Sequence, residues 1–164
     1  MREPPVPQPP KTLVEAAAPV ALPLEGVLNF MRLLWAVDHG LQRLSKQMEA
    51  TLGVTGPQRL AIRLVARFPE ITAGALAQML HVHPSTLTGV LQRLVTRGIL
   101  LREQDPDDGR RARFRVTAKG RKIDGLRTGT AEALVTEALA KVEEGEIEAA
   151  QRVLSAIAET LAGD

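Results

Sequence analysis

The sequence contains no cysteine, and aromatic side chains make up only 2% of its 164 residues. The absence of cysteine excludes disulfide bonds, thiolate metal sites and cysteine nucleophiles. Because aromatic rings are so rare, the core has to be built from Leu, Val, Ile and Ala, which favours close-packed helices. A chain of this length can form one domain with a substantial core, and it is too short for two domains that each have such a core.

Long hydrophobic runs are missing as well. No apolar stretch of the sequence approaches the ~20 residues that a membrane-spanning helix needs. The N-terminus also lacks the charged and then apolar layout of a secretory signal. We therefore expect a cytoplasmic protein without a membrane partner.

The charges are unevenly distributed, although the net charge is only +2. Residues 93–127 hold eleven Lys or Arg and five Asp or Glu, whereas residues 128–164 hold two Lys or Arg and eight Asp or Glu. The first segment therefore offers a cationic surface to a polyanion, and the second segment is repelled by one.

Residues 1–23 hold seven prolines. Proline at this density interrupts helices, so we expect an extended or disordered N-terminal arm. The arm is either a solvated tail or a segment that packs on a partner subunit.

Helical periodicity begins after this arm. Apolar residues recur at helical spacing from residue 24 to about residue 52, so residues 24–54 are predicted to form one long N-terminal helix and its closing turn. Thr55 and Gln58 then have capping-box spacing around Pro57, which predicts the start of a second helix.

Two short helices are predicted after residue 71. Thr72 is a suitable N-cap for the first, and Pro84 suits the first position of the second because it has no N–H to lose there. Gly98 can close the second helix in a left-handed conformation. Apolar residues form one stripe of the second helix, namely Leu87, Val90, Leu91, Leu94 and Val95. Its other face is small or polar and carries Ser85, Thr86, Thr88, Gly89, Gln92 and Arg93.

A basic hairpin is predicted directly after these helices. Residues 99–101 form its first strand, and residues 112–116 alternate small or apolar side chains with arginine, as a pairing strand would. The loop between them is rich in Asp, Pro and Gly and ends in Arg110 and Arg111. Two short helices, a tight turn and a basic hairpin are typical of a winged helix-turn-helix, which we assign to residues 55–116.

Residues 117–164 are predicted to form two C-terminal helices. Thr117 can cap a helix over residues 118–143, and a second helix covers residues 146–161 after a break at Glu144 and Gly145. Both ends of the chain carry more apolar surface than a small winged domain can cover, which predicts a homodimer. The residues expected at its interface are Leu24, Leu28, Ile147, Val153, Leu154, Ile157 and Leu161.

This order of elements resembles the MarR family of bacterial transcription regulators over residues 24–161. The resemblance rests on several short motifs rather than on any one of them. They are Thr55-Gly56-Pro57-Gln58, Leu76-Ala77, Pro84-Ser85-Thr86-Leu87-Thr88, Leu94 through Gly98-Ile99-Leu100, Asp105-Pro106-Asp107-Asp108-Gly109-Arg110 and Thr117-Ala118-Lys119-Gly120.

The resemblance implies a mainly α fold with a small β-wing, in which long N- and C-terminal dimerisation helices flank the winged helix-turn-helix. It implies a symmetric dimer that binds a pseudo-palindromic operator in double-stranded DNA and acts as a repressor, and no cofactor is expected. The second short helix would enter the major groove, and wing arginines would reach the adjacent minor groove.

The resemblance also adds wing residues to the predicted DNA contacts. Asp108 and Arg110 match the acid and the arginine of the family's wing by position, and Arg111 follows them. Gly89 departs from the family's pattern, because many relatives carry a larger and often basic side chain there. A glycine at this place would let DNA approach the helix backbone more closely.

Each of these readings has a plainer alternative. The polar face of the second short helix could be a solvated surface, although the basic hairpin beside it favours DNA contact. Arg113 and Arg115 are either phosphate contacts or the solvated side of the hairpin. The alternative function is a winged-helix module that binds protein and has lost its DNA contacts.

Metal and enzyme sites are not predicted. His39, His81 and His83 have no neighbouring Cys or acidic cluster to complete a tetrahedral set. The acids of the wing loop lack the following glutamate of a calcium-binding EF-hand. The sequence also has no glycine-rich phosphate loop and no nucleophile elbow, so we expect no catalytic activity.

A small-molecule site is predicted around Met31, Trp35 and His39 on the N-terminal helix. Trp35 is the only tryptophan and is either a core or interface residue or the wall of a pocket, which in relatives lies between the dimer helices and the winged domain. An apolar site with one titratable group suits a small aromatic or carboxylated effector. Some relatives sense peroxide through a cysteine, which this chain lacks.

Overall fold

The computed structural model describes residues 23–106 and 108–162. The arm predicted for residues 1–23 therefore lies outside the described residues, apart from Pro23. In chain order the described elements are α1 (Leu24–Leu52), α2 (Gly56–Arg67), β1 (Ile71–Thr72), α3 (Ala73–Met79), α4 (Pro84–Thr96), β2 (Leu100–Gln104), β3 (Ala112–Val116), α5 (Ala118–Gly125), α6 (Ala131–Leu139) and α7 (Glu144–Ala162).

The chain divides into two compact units, residues 1–36 and residues 37–164, with the boundary inside α1. In the first unit the described residues are helical from Leu24 onward, and their apolar side chains are open to solvent. Leu24 is 71% exposed and Leu28 is 54% exposed. Every element from α2 onward belongs to the second unit.

The core of the second unit is aliphatic with a single aromatic ring, as the composition predicts. Its buried side chains come from helices α2, α3 and α4 and from the strands. They are Val54, Ala61, Ile62, Val65, Leu76, Ala77, Leu87, Leu91, Leu94, Ile99, Leu100 and Phe114. The apolar stripe predicted for α4 is thus the face that holds this helix against the rest of the unit.

Three antiparallel strands form a small sheet in the order β1, β3, β2. The register places Leu100 opposite Val116 and Gln104 opposite Ala112, so the predicted basic hairpin is confirmed. Strand β2 starts one residue later than predicted and runs to Gln104. Strand β1 was not predicted, because it has two residues and exists only through its pairing with β3.

The capping box that the sequence predicted at the start of α2 is confirmed. At the start of α2, the Thr55 hydroxyl accepts a hydrogen bond from the Gln58 N–H, and the Gln58 side chain accepts one from the Thr55 N–H. This reciprocal pair satisfies two backbone donors that the first turn leaves open.

Gly98 closes α4 as predicted, with a φ of +64°. Its N–H donates to the Val95 carbonyl at 2.8 Å, and the Ile99 N–H donates to the Leu94 carbonyl at 2.9 Å. This pair of bonds is a Schellman motif, and it fixes the direction in which the chain leaves α4 towards β2.

The prediction of one helix over residues 118–143 is wrong. Helix α5 ends at Gly125, and a new helix, α6, begins at Ala131. The chain breaks between them because Gly129 adopts a φ of +74° and the Thr130 hydroxyl caps α6 by accepting from the Ala133 N–H at 3.3 Å. The predicted break at Glu144 and Gly145 is also wrong, since α7 begins at Glu144.

Helix α7 leaves most of its apolar stripe open. Leu154 is 50% exposed, Leu161 is 79% exposed and Val153 is 44% exposed, whereas Ile147 and Ile157 are half-buried. Helix α6 buries none of its side chains fully, and Leu134 is 54% exposed. These two helices therefore present an uncovered apolar surface within the described part of the chain.

Candidate nucleic-acid interface

Helix α4 presents the polar face that the sequence predicted. Its six candidate contact residues are all exposed, namely Ser85, Thr86, Thr88, Gly89, Gln92 and Arg93. The helix starts at Pro84, and His83 is its N-cap, accepting at Nδ1 from the Ser85 N–H at 3.3 Å. The buried stripe on the other side fixes the orientation of this face.

Three of the six residues are tied to the helix itself. The Ser85 hydroxyl lies 2.7 Å from His83 Nδ1, and the Thr88 hydroxyl donates to the Pro84 carbonyl at 2.8 Å. Arg93 folds back along the helix, and its Nε donates to the Gly89 carbonyl at 3.1 Å. These bonds cover polar groups that DNA could otherwise engage.

Thr86 and Gln92 have side chains without a hydrogen-bond partner among residues 23–106 and 108–162. An amide side chain can donate and accept at once, which is the pattern that a base edge in the major groove presents. Gln92 is therefore the residue of α4 best prepared for a base contact.

The tip of the wing is held by Asp108. One of its carboxylate oxygens accepts from the Arg110 N–H at 3.0 Å, and the other pairs with the Arg111 guanidinium at 3.1 Å. The Arg111 N–H also donates to the Asp108 carbonyl at 2.9 Å. Asp108 thus shapes the turn, and the Arg110 side chain is left without an ion pair in the described residues.

Arg113 and Arg115 belong to an ion-pair network at the base of the wing, which favours the structural interpretation of these two residues. Arg113 pairs with Asp105 at 2.8 Å and with Glu70 at 3.3 Å. Arg115 pairs with the same Glu70 and with Glu103. Because both guanidinium groups are already engaged with carboxylates, they are poor candidates for phosphate contacts.

An open groove of about 1500 Å³ separates the α3–α4 pair from the wing. Thr88 and Gln92 line its helical side, and Arg102, Arg110 and Arg111 line its wing side. Apolar residues such as Val82, Leu91 and Phe114 also line it. The polar side chains of α4 and the arginines of the wing that border the groove suit a nucleic-acid backbone. Glu159 of α7 also lines it.

Arg102 is the residue of this groove that the sequence analysis missed as a site residue. It lies on β2 opposite Phe114 of β3, so both side chains are on the same side of the sheet. Strand alternation could have identified it, since Leu100 lies two residues earlier and is buried on that side.

The predicted effector residues do not line this groove. Met31 is 46% exposed and Trp35 is 73% exposed within the first unit, and His39 is exposed within the second. The effector site therefore stays a prediction. Among residues 23–106 and 108–162, no three His, Asp or Glu side chains are grouped as metal ligands, and no helix is long and apolar enough to cross a membrane.

The fold and the groove together define a winged helix-turn-helix. Comparison with known proteins agrees with this class. The family model described as "MarR family" matches residues 52–111. The transcriptional regulator HosA of Escherichia coli O111:H- is 36% identical over 90 residues, which cover 52% of this chain and 67% of that protein. The chain belongs to the MarR family of transcriptional regulators.

Two further relatives extend this comparison. The organic hydroperoxide resistance transcriptional regulator of Bacillus subtilis strain 168 is 29% identical over 97 residues, 59% of this chain and 65% of that protein. The matched segments thus span about two thirds of the curated relatives. The crystal structure of the S. aureus MepR–DNA complex has a TM-score of 0.67 at 19% identity, covering 80% of this chain and 97% of that chain, which is a likeness of fold.

Proposed function

We propose that this protein is a dimeric repressor that binds a pseudo-palindromic operator and is released from it by a small-molecule effector. In each subunit α4 enters a major groove, and the wing reaches the neighbouring minor groove. The observation that carries the proposal is the groove between α4 and the wing. It is lined by Gln92 and by Arg102 and Arg110, whose side chains have no hydrogen-bond or ion-pair partner among residues 23–106 and 108–162.

The two walls of this groove supply different kinds of contact to DNA. Gln92 on the helical wall, and Thr86 on the same helix but outside the groove lining, offer hydrogen bonds to base edges, which carry sequence information. Arg102 and Arg110 offer charge to phosphates or to the minor groove, which supplies affinity irrespective of sequence. Support for this division comes from the contacts of the other polar residues, which are engaged within the protein.

Dimerisation is supported by the uncovered apolar faces at both ends of the chain. Leu24 and Leu28 on α1 and Leu154 and Leu161 on α7 are all at least half exposed. Exposed large apolar side chains concentrated on a helix face typically mark an interface between proteins. A symmetric dimer would cover it and would give two recognition helices, matching the two halves of a pseudo-palindrome.

The proposal is tested by selecting DNA from a random pool with the wild-type protein and measuring its affinity for the selected site in a mobility-shift assay. We expect an inverted repeat to be selected. Between 50 mM and 200 mM salt the affinity should fall by roughly 10³-fold or more, as it does for proteins with six or more phosphate contacts. If no sequence is selected and no shift occurs at low salt, the protein is a protein-binding module instead.

A further inference from the structure

Arg59 of α2 is the most deeply buried charged side chain among the described residues, at 2% exposure. It connects α2, in the winged part of the chain, with α5 and α6. Its Nε pairs with Glu132 of α6 at 2.9 Å, and its terminal nitrogens donate to the carbonyls of Ile123 and Leu126 at the end of α5. One guanidinium thus holds α2, the end of α5 and the first turn of α6 together.

A second arginine reinforces this joint. Arg63, one turn further along α2, pairs with Asp124 at 2.9 Å and approaches the same Glu132 oxygen at 3.6 Å. Thr130, which caps α6, is also buried, and its hydroxyl donates to the Arg127 carbonyl at 2.8 Å. The short connection between α5 and α6 is therefore fixed from both sides by polar contacts.

Helix α6 has little else to set its direction. None of its side chains is fully buried, and the apolar residues beyond its first turn, such as Leu134 and Leu139, are exposed. Packing alone therefore does not fix the angle between α6 and the winged part. The pair of Glu132 with Arg59 is the contact that can fix it.

We infer that Arg59 and Glu132 are a positioning pair that sets the angle of α6 relative to the DNA-binding surface and so the spacing of the two recognition helices in the dimer. Arg59 is 2% exposed and Glu132 is 35% exposed. Because an ion pair that buries a charge often adds little to stability, we assign the role of this pair to the geometry that it imposes. The inference rests on the proposed dimeric function and deepens it. Neither residue contacts DNA in this assignment.

The first experiment measures the spacing directly and needs no DNA. Because the chain has no cysteine, a single spin label can be placed at Leu101→Cys, an exposed position of β2. The distance between the two labels of a dimer is then measured by pulsed electron spin resonance. We expect a narrow distribution for the parent protein and a broad or displaced one for Glu132→Gln and Glu132→Ala.

The matched control is Glu137→Gln. Glu137 lies on the same helix and pairs only with Lys141 in the described residues, with both side chains about 70% exposed. This variant removes the same charge from α6 and should leave the distance distribution unchanged. A Glu132 variant that lowers the melting temperature and keeps the parental distribution would overturn the inference, because the pair would then be merely structural.

The second experiment uses the selected operator and versions with one base pair added to or removed from its centre. The parent should prefer its own spacing, and Glu132→Ala should lose about tenfold of that preference, which is within the usual range of coupling between sites. Glu137→Gln should keep the full preference, and an unchanged preference in Glu132→Ala would again overturn the inference. A parent protein that forms no dimer or selects no operator would instead contradict the proposed function.

Discussion

The Asp108 carboxylate accepts a hydrogen bond from the Arg110 backbone N–H at 3.0 Å, while the Arg110 side chain has no ion pair in the described residues. The acid therefore shapes the turn, and the arginine is free to meet a ligand. Removing either side chain should therefore weaken DNA binding, although the two charges are opposite.

Arg110→Ala should weaken binding to all DNA sequences by a similar factor, roughly tenfold, since one charge-assisted contact contributes about 1.5 kcal/mol. The salt dependence should flatten by about one unit of slope. Gln92→Ala should instead relax the preference at one base pair and leave the slope unchanged. Mobility shifts with the selected operator and with random DNA at several salt concentrations measure both effects.

Lys141→Ala is the control for the loss of a positive charge, because Lys141 follows the end of α6, is 70% exposed and, within the described part of the chain, pairs only with Glu137. It should change neither affinity nor slope appreciably. If Arg110→Ala lost discrimination between sequences at an unchanged slope, the roles given to Arg110 and Gln92 would have to be exchanged.

Asp108→Ala should weaken DNA binding, although it removes a negative charge from the wing that we propose to contact DNA. The loss is expected because the turn would no longer hold the Arg110 backbone and the Arg111 guanidinium. Asp108→Asn is the matched variant, since it keeps an oxygen acceptor for the Arg110 N–H and removes the charge. It should bind DNA at least as tightly as the parent. Tighter binding by Asp108→Ala would show that the acid acts through its charge alone.

Gly89→Ala should separate stability from DNA binding. A methyl group at this exposed helical position would lie 3.7 Å from the Arg93 Nη2, an ordinary contact, so the fold can accept it. Replacing glycine by alanine inside a helix typically adds about 0.5–1 kcal/mol of stability. For a domain of this size that raises the melting temperature by roughly 1–4 °C.

DNA affinity should fall in the same variant, because the methyl group stands between the helix backbone and the DNA that approaches it. Thermal unfolding and operator titration on one preparation compare the two quantities. An increase in both melting temperature and affinity would place Gly89 outside the contact surface.

Leu154→Glu should convert the dimer into a monomer. An unpaired charge buried in an apolar interface costs several kcal/mol, because the charge loses its hydration and gains no partner. Operator binding should then disappear at physiological salt, because one half-site contributes too little affinity. Sedimentation velocity measures the assembly, and Gln151→Glu, an exposed polar position on the same helix, is the control. If the Leu154→Glu variant remained a dimer and still bound DNA, the dimer interface would not include this face of α7.

Most elements that local sequence signals define were predictable, whereas β1, which exists only through its pairing with β3, was not. Thr55 with Gln58 and Gly98 with its carbonyl partners are local devices, and each was found where the sequence placed it. The break before Thr130 was missed although its signals are local too. Gly129 has a φ of +74° and the Thr130 hydroxyl caps α6.

The same distinction holds for the interface. The polar face of α4 follows from helical periodicity alone, so its residues could be named in advance. The engagement of Arg113 and Arg115 with Glu70 joins residues more than forty positions apart, and the burial of Arg59 depends on α5 and α6. No local pattern distinguishes such arginines from those that remain free for DNA.

The effector is the last prediction, and it concerns Trp35 and His39. A ligand releases the operator only if it binds one spacing of the recognition helices better than the other, and a difference of a few kcal/mol is enough. Small aromatic carboxylates should bind near the exposed Trp35, shift its fluorescence and release a labelled operator from the wild-type protein.

The Trp35→Leu, His39→Ala double variant should bind the operator normally and fail to release it when the ligand is added. Equal release from both proteins would place the switch elsewhere in the chain. Because this chain has no cysteine, mild peroxide that leaves the methionines unoxidised should leave operator binding unchanged.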